Sequence, residues 1–483
     1  MESSANRSVM WAGVAATILS AAAWWFGTGL HPQAWLTWLA PLPLLLIAPR
    51  MRWQYVALAA LCAGACAGLN LWHYLRVVIG LPLPVGVIAS LAPAVTFALA
   101  LLLFRRLWLL RRYVAAAVAF PSLWVAVDYV SFRGSPHGTF GSLAYSQIDV
   151  LPFVQVASLA GIWGVSFFLL LGPAALAVGL MPGPDRRQRL LVTGAAFLLL
   201  AAVFAFGFAR LQAPAAGSMR VGLASMPGKL RPMVDSAEGQ AMLGRYLAAI
   251  DTLAAQGAQV VVLPETVLAT QQATIPEFAA SAARNKVTIN AGVAVKDAAR
   301  GQRNSALAFV PGAAAPVGYA KHHLIPGFED QYQPGVDYAM LPGTRTGLAV
   351  CKDMDFHDTA RAYSDRGANL LLVPAWDFAA DGRMHSRMAV MRGIEHGFAV
   401  ARAALRGNLT LSDDRGRIVA ETSDEFGDAT LIGEVALHDS RTFYTRWGDW
   451  LAWLSLAMLV GALLASLRQG SYATLLCRRL QAS

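Results

Sequence analysis

Apolar runs long enough to cross a bilayer crowd the first half of this chain. They lie near 9–29, 34–49, 54–74, 84–104, 113–131, 155–180 and 190–209, and an eighth follows at 449–467. A helical crossing takes about 20 apolar residues, because hydrocarbon cannot hydrogen-bond an open backbone. Run 34–49 is short and carries Pro41 and Pro43, each of which removes a backbone donor. Run 9–29 is long, holds Trp11, Trp24 and Trp25 and precedes further runs, so it reads as a span rather than a cleaved leader. Composition agrees: 56% of residues are hydrophobic and 14% charged, against about 25% charged in soluble domains.

The net charge of +10 comes from arginines set beside the apolar runs. Such a pattern orients a membrane protein and does not form a nucleic-acid footprint, which would cluster on a soluble face. Arg50 and Arg52, then Arg105, Arg106, Arg111 and Arg112, then Arg186, Arg187 and Arg189, and finally Arg468, Arg478 and Arg479 fall on alternate connections and the tail. The intervening connections hold Arg76 and Arg133. Basic connections stay in the cytoplasm. Eight spans with both termini inside satisfy every connection, and 210–447 then faces outward, which in a bacterium is the periplasm. Cys62 and Cys66 sit in an Ala/Gly-rich run and Cys477 follows the last span. No disulfide framework or metal site is expected, and Cys62 and Cys66 read as small packing residues.

Residues 210–447 change character. Strand-like runs recur at Met219–Ala224, Val260–Leu263, Thr288–Val295, Ser305–Val310, Gly347–Val350, Asn369–Val373, Phe398–Ala403, Leu409–Ser412 and Thr430–Leu437. Glu238–Gln256 has helical spacing, with Gly257 as its stop, and helices are also expected over His357–Arg366 and His385–His396. Asp413–Gly416 reads as a hairpin turn. Strands alternating with helices make a layered α/β domain.

Three motifs in this segment carry chemistry: Leu-Pro-Glu-Thr around Glu265, Tyr-Ala-Lys-His-His-Leu around Lys321, and Ala-Val-Cys-Lys-Asp around Cys351. Each reactive residue ends an apolar β-like run. A thiol is mostly protonated at neutral pH. A carboxylate can take its proton and return it to a leaving group. An ammonium can stabilise a tetrahedral oxyanion, as can the backbone N–H of Lys352 after the nucleophile. This chemistry calls for no cofactor and no metal. His322 and His323 read as loop residues. His357, His385 and His396 share no ligand spacing. Trp376 and Phe378 either line an acyl pocket or pack beneath the cleft.

Taken together, the motifs resemble the nitrilase, or carbon–nitrogen hydrolase, superfamily, and the resemblance extends over most of 219–437. It includes Gly-Ala-Asn-Leu-Leu-Leu-Val-Pro-Ala-Trp at 367–376 and Met-Arg-Gly-Ile-Glu at 391–395. It implies an αββα sandwich with Glu265 as base, Lys321 as oxyanion stabiliser, Cys351 as nucleophile and Glu329 as a second active-site glutamate. Lys352 and Trp376 are expected to support the site or bind substrate.

The membrane half narrows this. Phe-Gly-Ser-Leu-Ala-Tyr-Ser-Gln at 140–147 and Gly-Ile-Trp-Gly-Val-Ser-Phe-Phe at 161–168 resemble the apolipoprotein N-acyltransferase family. The resemblance implies a membrane domain of about eight helices carrying the inserted α/β domain: residues 1–210, 211–447 and 448–483 in turn. It implies an acyl donor, a phospholipid, and an acceptor, the N-terminal amine of a diacylglyceryl lipoprotein. The alternatives are a membrane-anchored amidase or an acyltransferase with another acceptor, and a transporter, for which Asp128 is the main intramembrane charge. The segment after the nucleophile is Lys352-Asp353 where the family pattern has Tyr-Glu. The Trp-containing stretch after the first strand is replaced by 226–230, Met-Pro-Gly-Lys-Leu.

Overall fold

The structure is a computed structural model describing residues 2–297, 301–439 and 441–467. Arg468, Cys477, Arg478 and Arg479 lie outside the described residues.

Six helices among the described residues are long and apolar enough to cross a membrane: Arg7–Gly27, Leu83–Leu109, Tyr113–Arg133, Ala157–Leu180, Arg186–Leu211 and Trp450–Leu467. The two remaining runs make shorter helices. Run 34–49 breaks into Ala34–Leu39, Leu42–Ile47 and a 3-10 turn Ala48–Arg50. Pro41 caps the second piece and Pro43 sits in its first turn, so both lie where a missing donor is tolerated. Run 54–74 forms Trp53–Leu69, and a π-helical turn follows at Tyr74–Val78.

Close helix packing here uses glycine. A Cβ on Gly68 would lie 2.2 Å from the Ser90 carbonyl oxygen, and one on Gly64 2.7 Å from Ala94 Cα. Small residues permit such backbone approach. The expectation that Cys62 and Cys66 are packing residues holds for Cys66, which is half-buried against the core, and is corrected for Cys62, which is exposed. At helical spacing, Ala60, Ala63, Gly64 and Ala67 occupy the inward face instead.

The α/β part contains twelve strands among the described residues: β1 Gly217–Ser225, β2 Val260–Val262, β3 Leu268–Thr270, β4 Thr288–Asp297, β5 Gly301–Phe309, β6 Val317–Ala320, β7 Thr346–Leu348, β8 Leu370–Trp376, β9 Ala399–Leu405, β10 Asn408–Ser412, β11 Ile418–Ser423 and β12 Ala429–Leu437. They form two sheets, ordered β12-β1-β2-β4-β5-β6, with β3 beside β4, and β11-β10-β9-β8-β7. Alternate residues face opposite sides of a strand. Val221, Leu223, Val260 and Val262 therefore meet Leu370, Leu372, Ala401 and Leu411 between the sheets. Ala224, Val261 and Leu263 turn outward onto helices Ala237–Ala255 and Pro276–Asn285. Helices His357–Asp365 and Gly382–His396 cover the second sheet. The layers are helix, sheet, sheet, helix.

Helix Gly382–His396 also faces the membrane bundle. Helix Ala157–Leu180 is broken at Gly161, whose φ is 63°. The freed N–H of Ile162 donates to Glu395 Oε1 at 2.8 Å. Glu395 Oε2 pairs with Arg392 Nη1 at 3.0 Å, and Arg392 Nη2 donates to Tyr145 OH at 3.2 Å. Trp163 Nε1 donates to Asp449 Oδ1 at 2.8 Å. Two motifs far apart in sequence thus meet, and a carboxylate caps a half-helix start, where backbone N–H groups favour negative charge.

Candidate active site

Parallel strands bring their carboxyl ends to one edge, and α/β folds bind ligands there. β1, β2 and β4 run parallel. β5 is antiparallel to β4, and β6 to β5, so β6 ends on the same edge as β2. Glu265 lies just past β2 and Lys321 just past β6. In the second sheet β7 and β8 are parallel, which places Cys351 and Trp376 at one end. The Glu265 N–H donates to the Ala375 carbonyl at 3.1 Å, joining the two sheets at this point. Gly292 allows the approach: a Cβ there would lie 2.4 Å from Glu265 Cα.

Lys321 is fully buried, with Nζ 2.8 Å from Glu265 Oε1 and 2.7 Å from Glu329 Oε2. Asn304 Nδ2 donates to both carboxylates, at 2.6 Å to Glu329 Oε1. The Ile325 N–H donates to Glu329 Oε2 at 2.8 Å. Burial pushes the Lys321 ammonium toward neutrality, but Glu265 and Glu329 outweigh it and hold its pKa well above the ordinary lysine value. Burial raises Glu265, with Glu329 adding to the rise and Lys321 opposing it. A glutamate whose proton affinity is raised in this way is a better base toward a thiol.

Cys351 follows Val350 at the start of a 3-10 turn, Cys351–Asp355. Its φ of 44° is left-handed, a strained conformation for a residue with a Cβ. The sulfur donates to the Trp376 carbonyl at 3.4 Å. Burial raises the thiol well above its usual value, Glu265 adds to this, and Lys321 and Arg402 oppose it. The thiol therefore rests protonated and needs a base.

Asp353 holds the turn in place. Its Oδ1 accepts from the N–H groups of His322 and His323 at 3.1 and 2.9 Å. Its Oδ2 accepts from Tyr319 OH at 2.8 Å and from the Val350 N–H at 3.1 Å. Burial pushes this carboxyl up, yet His323, through its ring and backbone, brings it below the usual aspartate value. One side chain thus fastens the turn that begins at Cys351 to the segment that carries Lys321.

A cavity of about 320 Å³ opens beside the cluster, lined by Leu230, Arg231, Glu265, Thr266, Ile325, Phe328, Glu329 and Trp376. Phe378 backs it, its ring 4.9 Å from Trp376 and 5.1 Å from Phe328. Lys352 is buried, and its Nζ lies 3.1 Å from His137 Nδ1 in the 132–154 connection. Burial lowers the Lys352 pKa, and neighbouring Lys321 lowers it further against the opposing pull of Asp355. The same connection donates to the Asp355 carbonyl from the Thr139 N–H at 3.1 Å and hydroxyl at 2.9 Å. His323 stacks on Phe356 with ring centroids 3.7 Å apart.

The structure therefore brings Glu265, Lys321 and Glu329 into direct contact and sets Cys351 and Trp376 beside them. Lys352 points its ammonium toward the membrane-side connection. Sequence reading passed over Asn304 and Arg231, and reached His137 only as part of the 132–154 connection, read as a connector or a substrate entrance. Asn304 stands at the polar edge of the apolar run Ser305–Val310, so nothing local set it apart. Asp353 had a signal as the second residue of the departure after Cys351.

Comparison with known proteins gives a consistent picture. The carbon-nitrogen hydrolase family model matches residues 220–444. The model of the apolipoprotein N-acyltransferase N-terminal domain matches 20–175. An apolipoprotein N-acyltransferase of Geobacter metallireducens is 26% identical over 89% of this chain and 90% of its own length. An amidase structure from Nesterenkonia sp. is 20% identical, with a TM-score of 0.39 over 45% of this chain and 90% of that one. An apolipoprotein N-acyltransferase of Azotobacter vinelandii is 30% identical over 84% of this chain and 87% of its own length. The chain belongs to the apolipoprotein N-acyltransferase family.

Proposed function

We propose that this chain is a membrane acyltransferase that moves an acyl chain from a phospholipid, through a thioester on Cys351, to the N-terminal amine of a lipoprotein. The observation that carries the reading is the buried Glu265–Lys321–Glu329 cluster beside a strained, protonated Cys351. That site rests on membrane helices in a chain of this family.

In the first half-reaction Glu265 takes the thiol proton as sulfur attacks the ester carbonyl. The C–S bond forms, and the oxyanion is met by the Lys321 ammonium and the Lys352 backbone N–H. The ester C–O bond then breaks, and Glu265 returns the proton to the departing lysophospholipid oxygen. In the second half-reaction the acceptor amine attacks the thioester. The C–N bond forms, the C–S bond breaks, and Glu265 carries the amine proton to the sulfur. Glu329 keeps Lys321 charged throughout. Removing one oxyanion donor typically costs about 10²–10³ in rate.

In this reading residues 1–210 form the membrane domain, 211–447 the catalytic domain and 448–483 the last span and cytoplasmic tail. The shorter helices near 34–50 and 53–69 complete a set of eight spans with the six long ones. The arginine clusters support an orientation in the bacterial inner membrane with the catalytic domain on the periplasmic side. The test is product mass from phosphatidylethanolamine and a diacylated lipopeptide. A triacylated lipopeptide is expected; free fatty acid with unmodified lipopeptide would make the chain a hydrolase.

A further inference from the structure

The geometry points to Arg231 as the subsite that binds the phosphodiester of the acyl donor. This rests on the phospholipid-donor reading above. The cavity beside the cluster has an apolar wall in Leu230, Phe328 and Trp376, and two carboxylates already engaged by Lys321 and Asn304. Arg231 is the one cation in its lining.

Among the described residues Arg231 has no ion-pair partner in the structure, and its Nε is buried without a hydrogen-bond acceptor. The residue as a whole is half-buried, so its terminal nitrogens can meet an incoming anion, while the orphaned Nε favours one that accepts from it. The side chain is also held in place. Its guanidinium lies over the Tyr332 ring, 5.3 Å from the centroid, an attractive arrangement for a cation. Its backbone φ is 57°, and the adjoining Pro232 carbonyl accepts from the Ala269 N–H of β3 at 2.8 Å.

A guanidinium held over Tyr332 beside the cavity's apolar wall suits a molecule with both an anionic group and a hydrocarbon chain. Arginine binds phosphate oxygens bidentately. In a glycerophospholipid the phosphate and the reacting ester share one glycerol, so both can occupy one cavity. The diacylglyceryl acceptor carries no phosphate, so Arg231 separates donor from acceptor. The departing lysophospholipid keeps its phosphate and stays a ligand of the same residue. Arg231 follows directly on the 226–230 stretch, where this chain differs from the family pattern.

The test uses the full-length protein in detergent, as wild type, Arg231→Gln and Arg231→Lys. Acylation of Cys351 is measured with phosphatidylethanolamine and with p-nitrophenyl palmitate, an ester without phosphate. In Arg231→Gln the ratio of kcat/KM for phospholipid to that for the neutral ester should fall about tenfold to a hundredfold, the scale of losing hydrogen bonds to a charged group. Arg231→Lys should restore part of it. Lysophosphatidylethanolamine should inhibit the wild type and inhibit Arg231→Gln weakly. An equal loss with both esters would instead make Arg231 a counter-charge for Glu265 and Glu329, and an unchanged ratio would remove the subsite. A wild type acylated by the neutral ester but never by phospholipid would overturn the donor reading and the subsite with it.

Discussion

Glu265 sits between two opposing influences. Burial and Glu329 raise its pKa, while Lys321 lowers it. With the net direction upward, the acid limb of kcat/KM for Cys351 acylation should lie above about 4.3, the ordinary glutamate value. Activity should fall as pH drops through that raised pKa, because the base becomes protonated. A pH–rate profile with its limb at the ordinary value would contradict this. Asp353 carries a second prediction. Four groups donate to it, from Val350, Tyr319, His322 and His323. Asp353→Ala should therefore leave buried donors unpaired, at about 1–3 kcal/mol each. It should lower both Tm and the acylation rate; retention of wild-type acylation would show that the turn holds without it. At this scale Glu265, Lys321 and Cys351 were legible as candidates because each ends an apolar strand run. The partners were not. Asn304 lies 39 residues from Glu265, and His137 lies 215 from Lys352, distances that no local pattern spans.

At the scale of elements, the long strands and amphipathic helices were legible from their periods. β3 and β11 escaped notice. β3 has three residues, and β11 is an edge strand with a half-exposed pattern, so neither shows a full alternation. The break at Gly161 was also hidden, since an apolar run continues through it. The helix Gly382–His396 packs against helix Ala157–Leu180 on one side and β9 and β10 on the other. Burial pushes Glu395 up to about 7, so above that pH Glu395→Gln should remove the counter-charge of buried Arg392 and cost about 3–5 kcal/mol, read as a fall in Tm in detergent. No fall would show that the Gly161 break needs no carboxylate. His385 belongs to the same helix, with Nδ1 3.6 Å from Asp355 Oδ1 and Nε2 3.2 Å from Asp381 Oδ2. Burial lowers its pKa, but the two carboxylates prevail and push it up to about 10. The folded state therefore binds the proton more tightly than the unfolded state. This stabilisation is fully present below about 6.5 and is lost as pH rises through the folded value. The wild type should lose more Tm than His385→Gln between neutral pH and the folded value; equal losses would exclude the linkage.

At the scale of the whole molecule, the division into apolar runs and a strand-rich segment was plain from the start. Its three-dimensional consequence was legible only in part, since the polar, Gly-rich 132–154 connection reads equally as a plain connector or as part of a substrate entrance. The 132–154 connection reaches the nucleophile's own turn through Thr139 and His137, so the membrane half helps build the site. Orientation can be tested with an impermeant thiol reagent on intact cells, after Cys62, Cys66, Cys351 and Cys477 are changed to Ser. Phe426→Cys, at a side chain 94% exposed, should label, and Arg187→Cys should not; the reverse pattern would invert the topology.

The most direct measurement is the intact mass of the full-length protein after incubation with phosphatidylethanolamine. A single acyl adduct is expected, located on Cys351, absent in Cys351→Ala and lost on adding a diacylated lipopeptide. An adduct that persists in Cys351→Ala, or acyl transfer by that variant, would contradict a thioester at Cys351.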